Sequence, residues 1–370
     1  MKKYFFLFTI IVSAFYSCKK ETPHTDPRVI DVDVFVSGYV SDYGDSYYDV
    51  GYPTYWKNGS PVVLDSNYYY VGESALSIAV AENNVYAVGY GIGTDFGFRE
   101  FAYSTSWKNG LPVDIAGPGN SLTGNIYQLS SLAISNNDIY MVASGSADNA
   151  SYIKNGSVIV VSNGSEGSEA SSIAVSGTDV YVAGISFNRN YYNGGYNRMA
   201  KYWKNGDATK LTDGTKDAIA TAIAISGTNV YVAGSEKEGS VYVAKYWNNG
   251  KPVNLTDGLT AADANSIAVS GTDVYVAGSQ WDGMSTGNGD RVSIAKYWKN
   301  GEPVNLTDGS KWAEAKSIAV SGNDVYIAGF EESETGSGNY VAKYWKNGRP
   351  VILGDVTKNS KAYSIFLAPK

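Results

Sequence analysis

The sequence predicts an all-β protein, a seven-bladed β-propeller with four antiparallel strands per blade. Three sequence markers each recur seven times at blade-length intervals. Tight-turn sequences recur with them, and the first unit lacks a strand that the carboxyl terminus supplies. Repeats of about 40 to 50 residues that each contain four short strands are typical of propeller blades.

The three markers define the repeat. The first, an Asp or Asn followed by a hydrophobic and an aromatic residue, begins at Asp33, Asn84, Asp138, Asp179, Asn229, Asp273 and Asp324. The second is Tyr-Trp-Lys-Asn-Gly or a close relative, spaced 44 to 51 residues apart, with glycines at Gly59, Gly110, Gly156, Gly206, Gly250, Gly301 and Gly348. The third, Ser-Ile-Ala-Val or a variant, begins at Ser77, Ser131, Ser172, Ala222, Ser266, Ser317 and Ser364.

Each unit divides into four strands in a fixed order. Strand A is Ser-Ile-Ala-Val, strand B is Asp-Val-Tyr-Val-Ala-Gly, strand C is Ala-Lys-Tyr-Trp and strand D is Pro-Val-Asn-Leu. The Asn-Gly between C and D favours a type I′ turn, because both central residues of that turn need a positive φ. Strand B is apolar on both faces, as expected for a sheet packed between two others.

The ends of the chain predict how the ring closes. The first unit begins at strand B, and residues 361–368 supply a strand A after the last complete unit. We therefore expect this carboxyl-terminal strand to complete the amino-terminal blade and to remove the open edges of the array. The predicted propeller domain is 33–370.

Residues 1–17 are predicted to be a signal peptide of the lipoprotein type. A basic start precedes an apolar run that is too short to span a membrane comfortably. The pair Ser17-Cys18 resembles the end of a bacterial lipobox, in which the cysteine is acylated and becomes the first mature residue. The alternative is an ordinary secretory signal with an incidental cysteine.

The lipobox resemblance implies a lipid anchor on Cys18 as the only contact with the membrane. Lys19 stands where many lipoproteins of Gram-negative cells have the aspartate that retains them at the inner membrane, which implies the outer membrane. Residues 18–32, with two prolines and several charges, are then expected to be a flexible tether.

The composition excludes several function classes. The chain has 36 acidic and 29 basic residues, a net charge of −7, which becomes −9 without Lys2 and Lys3 of the signal segment. Nucleic-acid binding needs clustered positive charge, so we expect no nucleic-acid partner. The single cysteine, Cys18, and the single histidine, His24, lie outside the repeats. A Cys/His zinc site and a Ser-His-Asp triad within the propeller are therefore excluded.

The two faces of the disc are predicted to differ. Because the strands alternate in direction, the A–B and C–D turns share one face, called here the turn face, and the B–C and D–A connections share the loop face. The loop face carries irregular segments rich in aromatic and basic side chains, which suit glycans, peptides and proteins. The candidate ligand-binding residues are Tyr47, Tyr48, Tyr68, Tyr69, Tyr70, Phe96, Phe98, Arg99, Arg189, Tyr191, Tyr192, Trp281 and Trp312. The alternative is that these side chains fold back to cover the scaffold.

The recurring Leu-Thr-Asp-Gly suggests a second hypothesis. With three later acids it forms the carboxylate set Asp213, Asp257, Asp308, Asp217, Asp263 and Glu314. Such a set would suit a calcium ion or the acid and base of a glycosidase. The alternative is ordinary turn chemistry, which Asp-Gly after a strand also predicts. We expect no cofactor, and leave calcium open.

The lysines of the second marker pose a similar choice. They are Lys57, Lys108, Lys154, Lys204, Lys299 and Lys346. They could form a basic ring, or they could be solvated turn residues that protect the outer strands from edge pairing.

The Tyr-Trp-Lys-Asn-Gly repeats resemble those of bacterial secreted and lipoprotein β-propellers, over nearly all of residues 33–370. This resemblance implies the fold and export, and it implies no particular substrate. We therefore expect a monomeric, non-enzymatic binding or scaffold module at the cell envelope, with a glycan, peptide or protein at the loop face. The alternative is a polysaccharide hydrolase or lyase with carboxylates facing the central channel.

Overall fold

The computed structural model describes residues 31–42, 51–65, 72–94, 100–113, 128–144, 149–162, 164, 166–187, 197–285, 291–334 and 338–370. These residues form seven four-stranded antiparallel sheets. Each strand A contacts the strands A of both neighbouring sheets, and these contacts run around a closed ring. The protein is therefore a seven-bladed β-propeller with strand A innermost, as the sequence predicts.

The first four blades follow the predicted strand order. Blade 1 contains β1 (Val32–Ser41), β2 (Tyr52–Lys57), β3 (Ser60–Val63) and the carboxyl-terminal β28 (Asn359–Pro369). Blade 2 contains β4 (Gly72–Ala81), β5 (Asn84–Thr94), β6 (Glu100–Lys108) and β7 (Leu111–Pro112). Blade 3 contains β8 (Gln128–Ser135), β9 (Asp138–Ser144), β10 (Ser151–Lys154) and β11 (Ser157–Val160). Blade 4 contains β12 (Gly167–Ser176), β13 (Asp179–Phe187), β14 (Met199–Lys204) and β15 (Asp207–Lys210).

The last three blades have the same strand order. Blade 5 contains β16 (Ala218–Ser226), β17 (Asn229–Glu238), β18 (Val241–Asn248) and β19 (Lys251–Asn254). Blade 6 contains β20 (Ala262–Ser270), β21 (Asp273–Ser285), β22 (Arg291–Lys299) and β23 (Glu302–Asn305). Blade 7 contains β24 (Ala313–Ser321), β25 (Asp324–Glu332), β26 (Tyr340–Lys346) and β27 (Arg349–Ile352).

The carboxyl terminus closes the ring, which confirms the prediction for residues 361–368. Strand β28 pairs antiparallel with β1 from Val32 opposite Pro369 to Ser41 opposite Asn359. An ion pair between Lys370 Nζ and Asp31 at 2.9 Å follows the last ladder pair. First and last strands therefore share one sheet, and the inner edge of β1 is paired.

One polar contact, called here the clamp, recurs on the turn face of every blade. In blade 6, Asn300 Oδ1 accepts from the Val274 N–H at 2.8 Å, and Asn300 Nδ2 donates to Asp273 at 2.8 Å. Asn300 has a φ of 53°, which a type I′ turn requires. Lys299 pairs with Asp273 at 2.8 Å and lies over the Tyr275 ring.

The clamp explains why the first two markers recur together. Both asparagine bonds occur in all seven blades. The lysine–aspartate pair forms in the five blades that have both residues. These five lysines are 37% to 48% exposed and each pairs within its own blade, so they tie strand B to the C–D turn.

The core lies between the blades. The marker tryptophans Trp56, Trp107, Trp247, Trp298 and Trp345 are at most 1% exposed. Each hydrophobic cluster combines residues of neighbouring blades, for example Ala224 of blade 5 with Ile267 of blade 6. Burial on both faces confirms the expectation drawn from the apolar strands B.

Candidate functional site

A β-bulge in strand A shapes the wall of the central channel. In every blade, one residue of strand A is inserted into the ladder with strand B. The inserted residues are Leu76, Ser130, Ser171, Thr221, Asn265, Lys316 and Tyr363. All seven are partly exposed although strand A is innermost, because solvent in the channel reaches them.

The bulge explains the glycine of Val-Ala-Gly in strand B. A Cβ on Gly329 would lie 2.0 Å from the carbonyl oxygen of Glu314, two residues before the bulge. A Cβ on Gly278 would lie 1.9 Å from the carbonyl oxygen of Asp263, and a Cβ on Gly38 would lie 1.9 Å from that of Lys361. In these three blades a Cβ would overlap this carbonyl, so the glycine and the bulge together fix the backbone that carries these three side chains.

In blades 3 to 6 the inserted side chains link neighbouring blades. Ser171 Oγ donates to the Ala220 carbonyl at 2.6 Å, and Asn265 Nδ2 donates to the Ala315 carbonyl at 2.8 Å. The Thr221 hydroxyl makes the equivalent bond to the next blade. In blades 7 and 1 the inserted residues are Lys316 and Tyr363 instead, so this part of the channel wall carries longer side chains.

Four charged side chains gather where strands A of blades 6, 7 and 1 begin, on the loop face. They are Asp263, Glu314, Lys316 and Lys361, and we call them the channel-mouth cluster. Lys316 Nζ forms an ion pair with Glu314 Oε2, and these two side chains are 29% and 20% exposed. Trp312 Nε1 donates to Glu314 Oε1 at 3.0 Å. The cluster therefore combines paired charges with partial access to solvent.

Aromatic rings complete one side of this cluster. Lys361 Nζ lies 4.3 Å from the centre of the Tyr340 ring and 5.0 Å from that of Phe330. The two rings pack edge to face at 5.1 Å, and Lys316 lies over Phe330. Cation–π contacts of this kind hold an ammonium group against an apolar wall.

The two carboxylates of the cluster differ in acidity. Burial raises the pKa of Asp263, and the negative charge of Glu314 adds to this effect against the opposing charge of Lys316. Burial also acts to raise the pKa of Glu314, but Lys316, Trp312 and Lys361 outweigh it and lower that pKa. The protein therefore holds two neighbouring acids with pKa values moved in opposite directions.

The structure describes only two of the predicted ligand-binding residues. Trp312 lies in the D–A connection before β24, as expected, and its indole contacts the channel-mouth cluster. The prediction that Trp281 lies in a B–C loop is wrong. Trp281 lies inside β21 and pairs with Ser293 of β22, because the B–C hairpin of blade 6 continues past the predicted end of strand B. The predicted residues that lie outside the described ones are Cys18, Tyr47, Tyr48, Tyr68, Tyr69, Tyr70, Phe96, Phe98, Arg99, Arg189, Tyr191 and Tyr192.

The six acids of the carboxylate hypothesis occupy three different environments. Asp213 accepts from the Thr215 N–H and hydroxyl at 2.9 and 2.6 Å, and Asp257 and Asp308 form the same kind of turn. Asp217 forms a two-point ion pair with Arg198. Only Asp263 and Glu314 belong to the channel-mouth cluster. Within the described ranges, no group of three or more acidic, histidine or cysteine residues is arranged to hold a metal ion.

Sequence reasoning missed Lys316, Lys361, Phe330 and Tyr340. A signal was present in the repeat itself. The position two residues before the bulge differs from blade to blade, although the positions around it repeat closely. In order along the chain, from blade 2 to blade 1, its residues are Ser74, Gln128, Glu169, Ile219, Asp263, Glu314 and Lys361. Variation at one position of an otherwise uniform repeat indicates that the fold does not determine the residue type at that position.

Comparison with known proteins returned similarity at the level of structure alone. No protein-family model matches the chain, and no curated protein matches its sequence. The β-propeller domain of the Trilobed protease from Pyrococcus furiosus, described as having an open velcro topology, aligns with a TM-score of 0.42 and 11% identity. That alignment covers 86% of this chain and 99% of the other.

Two carbohydrate-active proteins also align. A thermostable family-43 glycoside hydrolase has a TM-score of 0.37 and 11% identity over 65% of this chain and 95% of its own. The polysaccharide lyase Uly1 has a TM-score of 0.38 and 11% identity over 75% of this chain and 80% of its own. The assignment as a propeller rests on the seven sheets and the closed ring of strands A.

No helix in the described part of the chain is long and apolar enough to cross a membrane.

Proposed function

We propose that this propeller is a binding module of the cell envelope that holds a neutral glycan at its channel mouth. One observation carries the proposal. The strand-A position two residues before the bulge, which varies between blades, is charged in blades 6, 7 and 1, and aromatic side chains gather at that same place.

The charge balance favours a neutral, hydroxyl-rich ligand. Asp263 and Glu314 offset Lys316 and Lys361, so the cluster carries no net charge when all four groups are ionised. Paired carboxylate and ammonium groups present both acceptors and donors, which hydroxyl groups need. The indole of Trp312 and the ring of Tyr340 add apolar surface of the kind that covers a sugar face.

Screening against an array of neutral hexose and pentose oligosaccharides, followed by calorimetry, tests the proposal. The double variant Glu314→Gln/Lys316→Met removes both members of an ion pair together, so neither charge is left unpaired. We expect affinity to fall about tenfold or more, the value of one charge-assisted hydrogen bond. Lys299→Met, which breaks a clamp ion pair on the turn face, is the matched control and should bind normally.

Two results would reject glycan binding at the channel mouth. One is an array on which no neutral oligosaccharide binds. The other is unchanged affinity of Glu314→Gln/Lys316→Met for an oligosaccharide that the native protein binds, which would place the ligand elsewhere.

A second candidate function, cleavage of a polysaccharide, is favoured by the opposite pKa movements of Asp263 and Glu314. A carboxyl with a raised pKa can donate a proton, whereas a neighbouring carboxylate with a lowered pKa stays ionised. Incubation with polysaccharides and assay for new reducing ends or unsaturated uronates separates this function from binding. If product forms with the native protein but not with Asp263→Asn, the result supports an enzyme. If the polysaccharide stays intact and bound, the result supports a binding module.

Export and anchoring belong to the same proposal. The lipobox resemblance supports a lipid on Cys18, attachment at the outer membrane, and a tether over residues 18–32. A propeller held there in this way would present its loop face to glycans, peptides or proteins of the envelope.

A further inference from the structure

A cleft of about 380 Å³ lies between the outer parts of blades 3 and 4, away from the channel mouth. Its volume falls within the roughly 300 to 1,000 Å³ typical of small-molecule sites. Val161 and Ser162, which follow strand D of blade 3, line the cleft together with Ser168 of strand A and residues of strands B, C and D of blade 4. The polar groups that matter below are those of Glu166, Ser186, Lys201 and Lys210.

The cleft exists where blade 4 departs from the repeat. Strands C of blades 4 to 7 each carry a lysine at the same position, and Lys201, Lys245 and Lys296 are buried whereas Lys343 is partly exposed. In blades 5, 6 and 7 a long side chain two residues after the strand-B glycine accepts from that lysine. These acceptors are Glu236 at 2.5 Å, Gln280 at 2.5 Å and Glu331.

Blade 4 has Ser186 at the same position of strand B. The shorter side chain does not fill the space that a glutamate fills in blades 5 and 7, and Ser186 lines the cleft. Its residue is 1% exposed, and its hydroxyl makes no hydrogen bond of normal geometry. A buried hydroxyl of this kind is costly unless a ligand or water satisfies it.

Lys201 pairs with a different partner in the cleft. Its side chain is 8% exposed and pairs at 2.5 Å with Glu166, which lies in the connection between blades 3 and 4. The Glu166 side chain is 40% exposed, compared with 16% for Glu236 and 18% for Glu331. Lys201, and to a smaller degree the nearby Ser186 hydroxyl, lower the pKa of Glu166 against the opposing effect of burial. Glu166 is therefore an exposed anion that can be displaced from a buried cation.

We propose that this cleft binds a small hydroxylated carboxylate of the uronic-acid class. The ligand carboxylate replaces Glu166 on Lys201 and accepts from the Ser186 hydroxyl. Lys210, at the exposed side of the cleft, adds positive charge. The ligand hydroxyls then meet Ser162 and the displaced Glu166 carboxylate. This site is independent of the glycan site proposed at the channel mouth.

Calorimetry on the full-length protein, with D-glucuronate and neutral D-glucose as probes, tests the site. Glucuronate should bind and glucose should not, because only glucuronate carries the carboxylate. Ser186→Glu installs the residue that blades 5 and 7 carry, so it should preserve the fold while it fills the cleft. We expect it, and Lys201→Met, to weaken glucuronate binding about tenfold or more.

Glu166→Gln should act in the opposite direction. It removes the internal anion that competes for Lys201, so glucuronate should bind about threefold more tightly or better. Glu236→Gln, the same change at the equivalent ion pair of blade 5, is the matched control and should leave binding unchanged. Glu314→Gln/Lys316→Met should also leave it unchanged, which separates this site from the channel mouth.

Three results would overturn the proposal. They are equal binding of glucose and glucuronate, normal glucuronate binding by the folded Ser186→Glu protein, and weaker binding by Glu166→Gln.

Discussion

Replacing Gly329 with alanine tests whether the strand-A bulge fixes the channel wall. The new Cβ would lie 2.0 Å from the Glu314 carbonyl oxygen, about 1 Å closer than Cβ atoms come to other atoms, and 3.0 Å from the Trp345 ring. Both groups are backbone or fully buried, so neither can move without disturbing the blade. Overpacking of this kind costs about 1 to 3 kcal/mol of unfolding free energy, and we expect the upper end. Blade 3 has Ala143 at the equivalent position, so the fold should survive.

Differential scanning calorimetry measures the effect. An unfolding entropy of about 2.1 cal/mol/K per residue over roughly 340 propeller residues converts 3 kcal/mol into a fall in Tm of about 4 °C. Gly322→Asn is the matched control in the same blade, since Gly322 has a φ of 59°, has open space around it, and corresponds to Asn136 in blade 3. A Tm within 1 °C of the native value for Gly329→Ala, or an equal fall for Gly322→Asn, would refute the reasoning.

Three further predictions follow from other parts of the chain. Asn300→Gly keeps the positive φ of the clamp turn but removes its two hydrogen bonds, so denaturant unfolding should show a loss of about 1 to 2 kcal/mol. Burial acts to raise the pKa of Asp217, but hydrogen bonds from Arg198 and Tyr242 and the charge of Arg198 lower it to about 2. This carboxylate therefore contributes stability above about pH 4 that is lost as the pH falls towards 2, about 2 kcal/mol in all. Asp217→Asn should remove that part of the acid dependence, and an unchanged acid-unfolding curve would contradict the assignment. Cys18→Ser should release the protein from membranes in cell fractionation, and continued membrane association would exclude the lipid anchor.

The repeat pattern predicted most of the fold because a blade is a local structure. The Asn-Gly pair favours a type I′ turn, and the displaced carboxyl-terminal strand indicates how the ring closes. The turn depends on a few adjacent residues, and ring closure depends on one strand pairing, so both can be recognised in the sequence. The clamp was not predicted, because the pairing of Lys299 with Asp273 depends on the register between strands B and C.

The channel-mouth cluster was harder to predict than the fold. A bulge inserts any kind of residue, from Leu76 to Lys316, so its position leaves no mark in the hydrophobic pattern. The glycine of Val-Ala-Gly does mark it, but only once the close approach of the strand-A carbonyl is known. Trp281 was misplaced for a related reason, because nothing in its segment shows that the ladder of blade 6 continues past the usual end of strand B.

The meeting of Asp31 and Lys370 places both ends of the propeller on the turn face, where strand B begins and strand A ends. A tether from a lipid on Cys18 would therefore join the disc on that side, which favours an orientation with the loop face away from the bilayer. A fluorescent label on Leu259→Cys, 81% exposed on the loop face, should then be quenched less by lipid-bound quenchers than one on Gly177→Cys on the turn face. The strand pairing that completes blade 1 would thus also determine which side of the disc a ligand in the surrounding medium meets first.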